Sequence, residues 1–375
     1  MQDVDLGYGD DVFFGGNGGS VLEVYGNYGN DKIFGPNDMT SGTPELSGGY
    51  GDDIIDFGDH NYGHIGYGGD GNDKLIGGIA TALQRLYGDD GDDKIWMINP
   101  EQRGMEGTVT KGYYGYGGYG NDHIYGSDLG EILLGDLGSV EDVEGDLHIA
   151  YGTFATYYNE SGNGDDVIFG YGGDDKIFGM AGDDVLDGGD DADELIGGRG
   201  NDKIFGGDGA DFLYGDERTS DSHNQSDDAS DSDDDLALFG DDKMYGGAGI
   251  DTMFGSFGDD FMKGGTEDDI MWGGAGEDTI YGEAGADDIN AGYGWDTIFG
   301  GDGCDTIEVI DGGDVVWLGD CDGSMLQTLN IEGTGDDPEN FVVVMDFWLD
   351  SAKPFNKICL HVSDNQENPT AARCA

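Results

Sequence analysis

Basic residues are scarce in this sequence: Lys and Arg total 15 against 81 Asp and Glu, a formal net charge of −66 over 375 residues. Ion pairs within the chain cannot neutralise that surplus, because the bases run out first. Divalent cations can, and hard cations take carboxylate and carbonyl oxygens. The same deficit excludes nucleic acid and anionic membrane surfaces as partners. Proline is also rare, at 6, and no three-residue period exists, so the 76 glycines are not those of a collagen. No apolar run reaches 18 residues, so no transmembrane segment is expected. The first residues, Met1 to Leu6, hold no basic region followed by an apolar stretch; a leader is either already removed or export uses another route.

Chemistry-bearing motifs are missing as well. The six histidines form no HExxH, there is no G-x-S-x-G, and the Gly-rich turns do not precede helices. With no catalytic constellation, the chain is expected not to be an enzyme. Cysteine is limited to Cys304, Cys321, Cys359 and Cys374, without a paired CxxC, which weighs against zinc and fits an oxidising compartment. What is plentiful is aromatic: Tyr 20, Phe 17 and Trp 5. That many rings argue against a disordered acidic chain.

Periodicity decides the fold class. Residues 161–214 divide without gaps into nonapeptides, such as Gly170-Tyr171-Gly172-Gly173-Asp174-Asp175-Lys176-Ile177-Phe178, and residues 237–317 do so again. The sixth position is always Asp: Asp166, Asp175, Asp184, Asp193, Asp202 and Asp211, then Asp242, Asp251, Asp260, Asp269, Asp278, Asp287, Asp296, Asp305 and Asp314. The eighth is always aliphatic or Met, from Ile168 through Met271 to Val316. Glycines at positions one, two and four suit a tight turn with positive φ and close backbone approach. The last three residues suit a short strand whose middle side chain alone points inward. One such coil cannot bury its apolar face alone, so stability must come from stacking.

These units resemble the RTX family, whose repeat is G-G-x-G-x-D-x-U-x with U a large apolar residue. The resemblance implies an all-β, right-handed parallel β-roll (a β-solenoid) with two nonapeptides per coil. It also implies several calcium ions, each held by sixth-position carboxylates and turn carbonyls between one loop and the loop one coil onward. Asp175, Asp193 and Asp211 would then line one edge, and Asp166, Asp184 and Asp202 the other. Position four departs from Gly at Asp191 and Glu267, which is expected to weaken those sites.

Earlier units sit at 6–14, 26–34, 48–56, 68–76, 88–96 and 117–125. Each step reads as one nonapeptide plus a looser connection that closes the coil. Calcium should line one edge only, through Asp11, Asp31, Asp53, Asp73, Asp93 and Asp122. The expected domains are an irregular roll at 1–125, a junction at 126–160, where Glu131 and Val140 take the sixth position, and a regular roll at 161–317. Within the last, 215–236 reads as a solvated Ser/Asp insertion extruded from one turn. A C-terminal β capping region should fill 318–375, with strands near 326–331, 341–348 and 357–362. Cys304 and Cys321 stand one residue short of a coil apart, so they are expected to bridge and leave Cys359 with Cys374, although four cysteines allow three connectivities.

The ninth position is rich in rings, among them Trp96, Phe169, Phe205, Tyr245, Trp272, Tyr281, Phe299 and Trp317. They could stack as cross-coil ladders, or form a surface for a sister subunit or a glycan. Six lysines at position seven, Lys32, Lys74, Lys94, Lys176, Lys203 and Lys243, should screen excess charge. The expected role is a secreted or cell-surface calcium-binding scaffold. A repeat beginning at Leu6 leaves little sequence to cap that end, and a head-to-tail contact there would build a homo-oligomeric filament or lattice. The alternatives are a calcium-dependent adhesin or glycan-binding module, or the export part of a larger secreted enzyme.

Overall fold

The computed structural model describes residues 2–16, 22–36, 42–58, 63–78, 84–98, 113–127, 129–136, 142–143, 146–147, 164–216, 240–310, 314–319, 327–333, 342–344, 358–364 and 373–374. Among them there are strands and turns and no helix. They fall into two compact units, Met1–Gly197 and Gly198–Ala375.

In the first unit, each nonapeptide ends in a short strand that pairs in parallel with its counterpart one coil on. The series runs Val12–Phe14, Lys32–Phe34, Ile54–Asp56, Lys74–Ile76, Lys94–Trp96, His123–Tyr125, Val167–Gly172 and Val185–Asp190. A second parallel series holds Gln2–Tyr8, Leu22–Tyr28, Glu45–Tyr50, Ile65–Asp70, Gln84–Asp90, Tyr113–Tyr119, Glu131–Asp136 and Lys176–Ala181. Position-eight residues Ile33, Ile55, Leu75, Ile95, Ile124 and Ile168 are fully buried, as are Val24, Leu46, Leu86 and Leu133 on the other series. The fold is therefore an all-β parallel solenoid.

The irregular coils recruit their loose connections into the core. Gly66 and Gly115 occupy inward positions where other coils carry Leu or Val. A Cβ at Gly66 would lie 2.8 Å from the Phe57 ring, and one at Gly115 would lie 2.9 Å from Met97 Sδ. Phe57 and Met97, both from connections, fill the space the glycines leave. His64 stacks on Phe57 at 4.1 Å between ring centroids. Tyr113 is buried with them.

In the second unit the parallel series are Lys203–Asp208, Lys243–Ala248, Phe261–Thr266, Thr279–Ala284, Thr297–Asp302, Val315–Trp317 and Val342–Val344, and Phe212–Asp216, Thr252–Phe257, Ile270–Ala275, Asp288–Tyr293, Thr306–Val309, Gln327–Gly333 and Ile358–Asp364. Lys203 pairs with Lys243, and Ile204 with Met244, so the segment between Asp216 and Gly240 leaves the register of the core intact. The strands after residue 318 extend the parallel ladder, and the last, Arg373–Cys374, turns antiparallel on Ile358–Asp364.

The Ser/Asp stretch expected at 215–236 lies outside the described residues from 217 onward, as do most of 126–160 and of 318–375. Val140 and Cys321 fall there too. Cys304 is disulfide-bonded, and the backbone register sets Cys359 opposite Cys374.

Candidate metal centre

The sixth-position carboxylates form continuous files. Asp11 N–H donates to Asp31 Oδ1 at 2.7 Å, Asp31 to Asp53 at 2.6 Å, Asp53 to Asp73 at 2.7 Å, Asp73 to Asp93 at 2.7 Å, and Asp93 to Asp122 at 2.8 Å. Asp122 continues to Asp166, and Asp166 to Asp184. On the opposite edge the file starts later: Glu131 N–H donates to Asp175, and Asp175 to Asp193. The second unit has two full files, Asp202–Asp242–Asp260–Asp278–Asp296–Asp314 and Asp211–Asp251–Asp269–Asp287–Asp305. All of these Asp side chains are buried except Asp11, which is half-buried.

Each file leaves oxygen to spare. Oδ2 has no hydrogen-bond partner at Asp11, Asp31, Asp53, Asp73, Asp93, Asp122, Asp166, Asp175, Asp242, Asp251, Asp260, Asp269, Asp278, Asp287 and Asp305. Except at Asp11, whose unit begins with Leu6, that oxygen lies against the first glycine of its own unit, where a carbonyl from the following coil also arrives. A Cβ at Gly282 would meet Asp287 Oδ2 at 2.3 Å and the Gly300 carbonyl oxygen at 2.3 Å; at Gly68 it would meet Asp73 Oδ2 at 2.4 Å and the Gly88 carbonyl oxygen at 2.4 Å. The turn thus brings one carboxylate and one carbonyl oxygen together from adjacent coils, a donor set that suits a hard cation.

Electrostatics says the same. Burial pushes Asp73 up to about 8, Asp93 to about 9, Asp166 to about 8 and Asp242 to about 9, while an incoming backbone N–H offsets part of each rise. Neighbouring carboxylates add to the rise. Asp175 is raised by burial and by its partner Glu131. A buried carboxylate without a cation holds its proton near neutral pH; a divalent ion favours the ionised form.

Some participants were not foreseen. Glu131 takes the sixth-position role with a longer arm, and Ser127 braces it through Oγ and, at 3.1 Å, through its N–H. An exposed second ladder runs through position five: Asn30 N–H donates to Asp10 Oδ1 at 3.0 Å, Asp52 to Asn30 at 3.2 Å, Asn72 to Asp52 at 3.0 Å, Asp92 to Asn72 at 3.1 Å and Asn121 to Asp92 at 3.0 Å. The strict alternation of Asp and Asn, readable in the sequence, keeps like charges two coils apart.

The position-nine rings are ladders. Trp96 stacks on Tyr125 at 5.0 Å and Tyr125 on Phe169 at 5.7 Å. Phe205 stacks on Tyr245 at 5.0 Å, Phe254 on Trp272 at 4.6 Å, Tyr281 on Phe299 at 4.5 Å, and Phe299 on Trp317 at 4.3 Å. Lys74 lies 4.9 Å from the Trp96 ring centre and Lys203 lies 5.1 Å from that of Phe205. A third stack, Tyr8–Tyr28–Tyr50 at 4.8 and 4.9 Å, occupies position three of the first turns.

The family model of the RTX calcium-binding nonapeptide repeat (4 copies) matches residues 67–79, 115–128, 160–195, 187–217, 237–271, 254–289 and 272–307. The matched segments are RTX calcium-binding nonapeptide repeats. They hold the first regular array, the second as far as residue 307, and two of the earlier units; the remaining early units rest on the same ladder geometry. No curated protein matches the chain. Among solved structures it is similar to the X-ray crystal structure of a hyperactive, Ca2+-dependent, beta-helical antifreeze protein from an Antarctic bacterium, at 15% identity, covering 96% of this chain and 85% of that one with a TM-score of 0.24. So distant a likeness carries no argument, and the parallel solenoid stands on the strand registers. Asp31 and its equivalents, with the turn carbonyls beside them, are the residues that would hold calcium in this array.

Proposed function

We propose that this protein is an extracellular, non-catalytic structural subunit whose roll is set by calcium and which assembles with copies of itself. The observation that carries this reading is the pairing of buried carboxylate files with aromatic ladders. The first makes the folding of the coils conditional on calcium. The second spends the faces of its rings on one another, so that Trp272, Phe299 and their neighbours present edges rather than open platforms. Calcium sites of extracellular modules commonly fill at about 10⁻⁴–10⁻³ M, a range that would leave the chain unfolded before export. A bonded Cys304 suits the same oxidising surroundings, and pairing of Cys359 with Cys374 belongs to this proposal. Among the described residues no helix is long and apolar enough to cross a membrane.

Sedimentation of the calcium-loaded protein over a wide concentration range tests assembly. Species that grow with concentration support the scaffold, and a monomer throughout contradicts it. A second reading, a glycan-binding adhesin, is favoured by Trp295 and Tyr8, which are 68% and 84% exposed. Retention on a polysaccharide that is lost in Trp295→Ala would establish it.

A further inference from the structure

Two turns are interrupted by long segments, and both are closed by a carboxylate outside the sixth-position files. The chain leaves one turn after Gly135-Asp136 and resumes it at Gly164-Asp165-Asp166; it leaves another after Gly215-Asp216 and resumes it at Gly240-Asp241-Asp242. Asp136 and Asp216 hold equivalent places, the second position of the nonapeptide. Asp216 Oδ1 accepts the Gly240 N–H at 3.3 Å, which ties the two ends of the broken turn. Its Oδ2 accepts the Phe257 N–H of the next coil at 3.0 Å. The Gly164 and Ala181 N–H groups face Asp136 from the corresponding places and offset part of the rise that burial gives it, but neither reaches full hydrogen-bond geometry, although Asp136 is only 5% exposed.

The glycine before each of these carboxylates adjoins a file oxygen, and the charges of Asp136 and Asp216 act on Asp166 and Asp242. Beside Asp136, a Cβ at Gly135 would meet Asp166 Oδ2 at 2.0 Å and the Gly179 carbonyl oxygen at 2.6 Å. Beside Asp216, a Cβ at Gly215 would meet Asp242 Oδ2 at 2.2 Å and the Gly255 carbonyl oxygen at 2.8 Å. Most uninterrupted turns carry no acid at the second position; Asp89 and Glu283 do, but with positive φ, 76° and 73°, a backbone conformation that Asp136 and Asp216 do not share. Two buried like charges repel unless a cation lies between them.

We propose that Asp136 and Asp216 are additional calcium ligands, making the two interrupted turns two-carboxylate sites that hold calcium more tightly than the uninterrupted ones. This rests on the calcium loading of the files. It gives each insertion a clamp: the ion, not the backbone alone, joins the strand that leaves to the turn that returns. Ligand charge count, together with site rigidity, tunes calcium affinity in oxygen-donor sites.

Asp136→Asn and Asp216→Asn separate ligation from amide acceptance, because Asn keeps an acceptor oxygen and loses the charge. Equilibrium dialysis against calcium, with circular dichroism as a check on folding, is the measurement. We expect either variant to fold in saturating calcium and to lose one ion, or to weaken its tightest class of site about tenfold or more. Asp241→Asn, on an exposed neighbour, should bind as the unaltered protein does. Unchanged stoichiometry and affinity in both variants would overturn the inference while leaving calcium binding intact; an unaltered chain that takes up no calcium would instead overturn the calcium reading. Should the variants fail to fold, a calcium-loaded crystal structure of the unaltered chain decides. Metal about 2.3–2.6 Å from an oxygen of Asp136 or Asp216 supports the inference, and carboxylates that meet only amides overturn it.

Discussion

The coils of residues 2–125 and those of 240–319 solve one problem in two ways. The early coils carry one file of carboxylates, Asp11 to Asp122, and close their other edge with connections that donate Phe57, Met97 and Tyr113 to the interior. The later coils carry two files and a core of little beyond position eight, such as Met244, Met262, Ile280 and Ile298. Apolar side chains and bound cations are thus alternative ways to hold a coil shut. The early coils should lean on packing and the later ones on calcium.

The largest effect that can break this comparison is a reversal of pH dependence. Without calcium, Asp73, Asp93 and Asp242 titrate at about 8, 9 and 9 in the folded chain, against an ordinary 3.8. Raised carboxyl values stabilise the fold below the ordinary value and lose that contribution as pH rises through the folded one. In chelator, the roll should therefore be more folded at about pH 5 than at about pH 9. In excess calcium the order should invert, because ligation needs ionised carboxylates. Thermal melts followed by circular dichroism check both signs, and the inversion should be strongest in the later coils.

Phe57→Ala is next. It empties the space over Gly66 and should cost the early coils about 3–5 kcal/mol in denaturant unfolding at saturating calcium, with the later coils unaffected. Gly282→Ala acts from the opposite side. Its Cβ would collide with Asp287 Oδ2 and the Gly300 carbonyl. We expect a cost of about 1–3 kcal/mol and a higher calcium midpoint for folding, whereas Gly16→Ala, with nothing within 4 Å of its Cβ, should change neither.

How much of this could be read from the sequence follows from where a period exists. Position six and position eight recur with every coil, so Asp31, Asp175 and Ile280 were legible one by one. Phe57 and Met97 were not, although both directly follow position nine, because the neighbouring coils carry Gly15, Gly35 and Gly77 at that place and no apolar period results; only the missing side chains at Gly66 and Gly115 call for a filler. Glu131 breaks the run of Asp at position six, yet its longer arm, braced by Ser127, fills the same place. Asp191 and Glu267 replace Gly at position four, where weaker calcium sites are expected. Both adopt the positive φ, 81° and 75°, and their carboxylates accept hydrogen bonds from the Gly173 and Gly249 N–H groups. Met180 has positive φ as well, at 87°, and its side chain offers no such acceptor. Met180→Gly should therefore stabilise its coil by about 1 kcal/mol, the smallest effect here, measured as a shift in the unfolding midpoint.

The central claim is that calcium, held by the files of buried carboxylates, makes the roll. Titration of calcium into chelator-treated protein near neutral pH, followed by far-ultraviolet circular dichroism, tests it most directly. The account predicts a mostly disordered starting spectrum and a cooperative gain of β signal. A full β spectrum in chelator, unchanged by calcium, would contradict it.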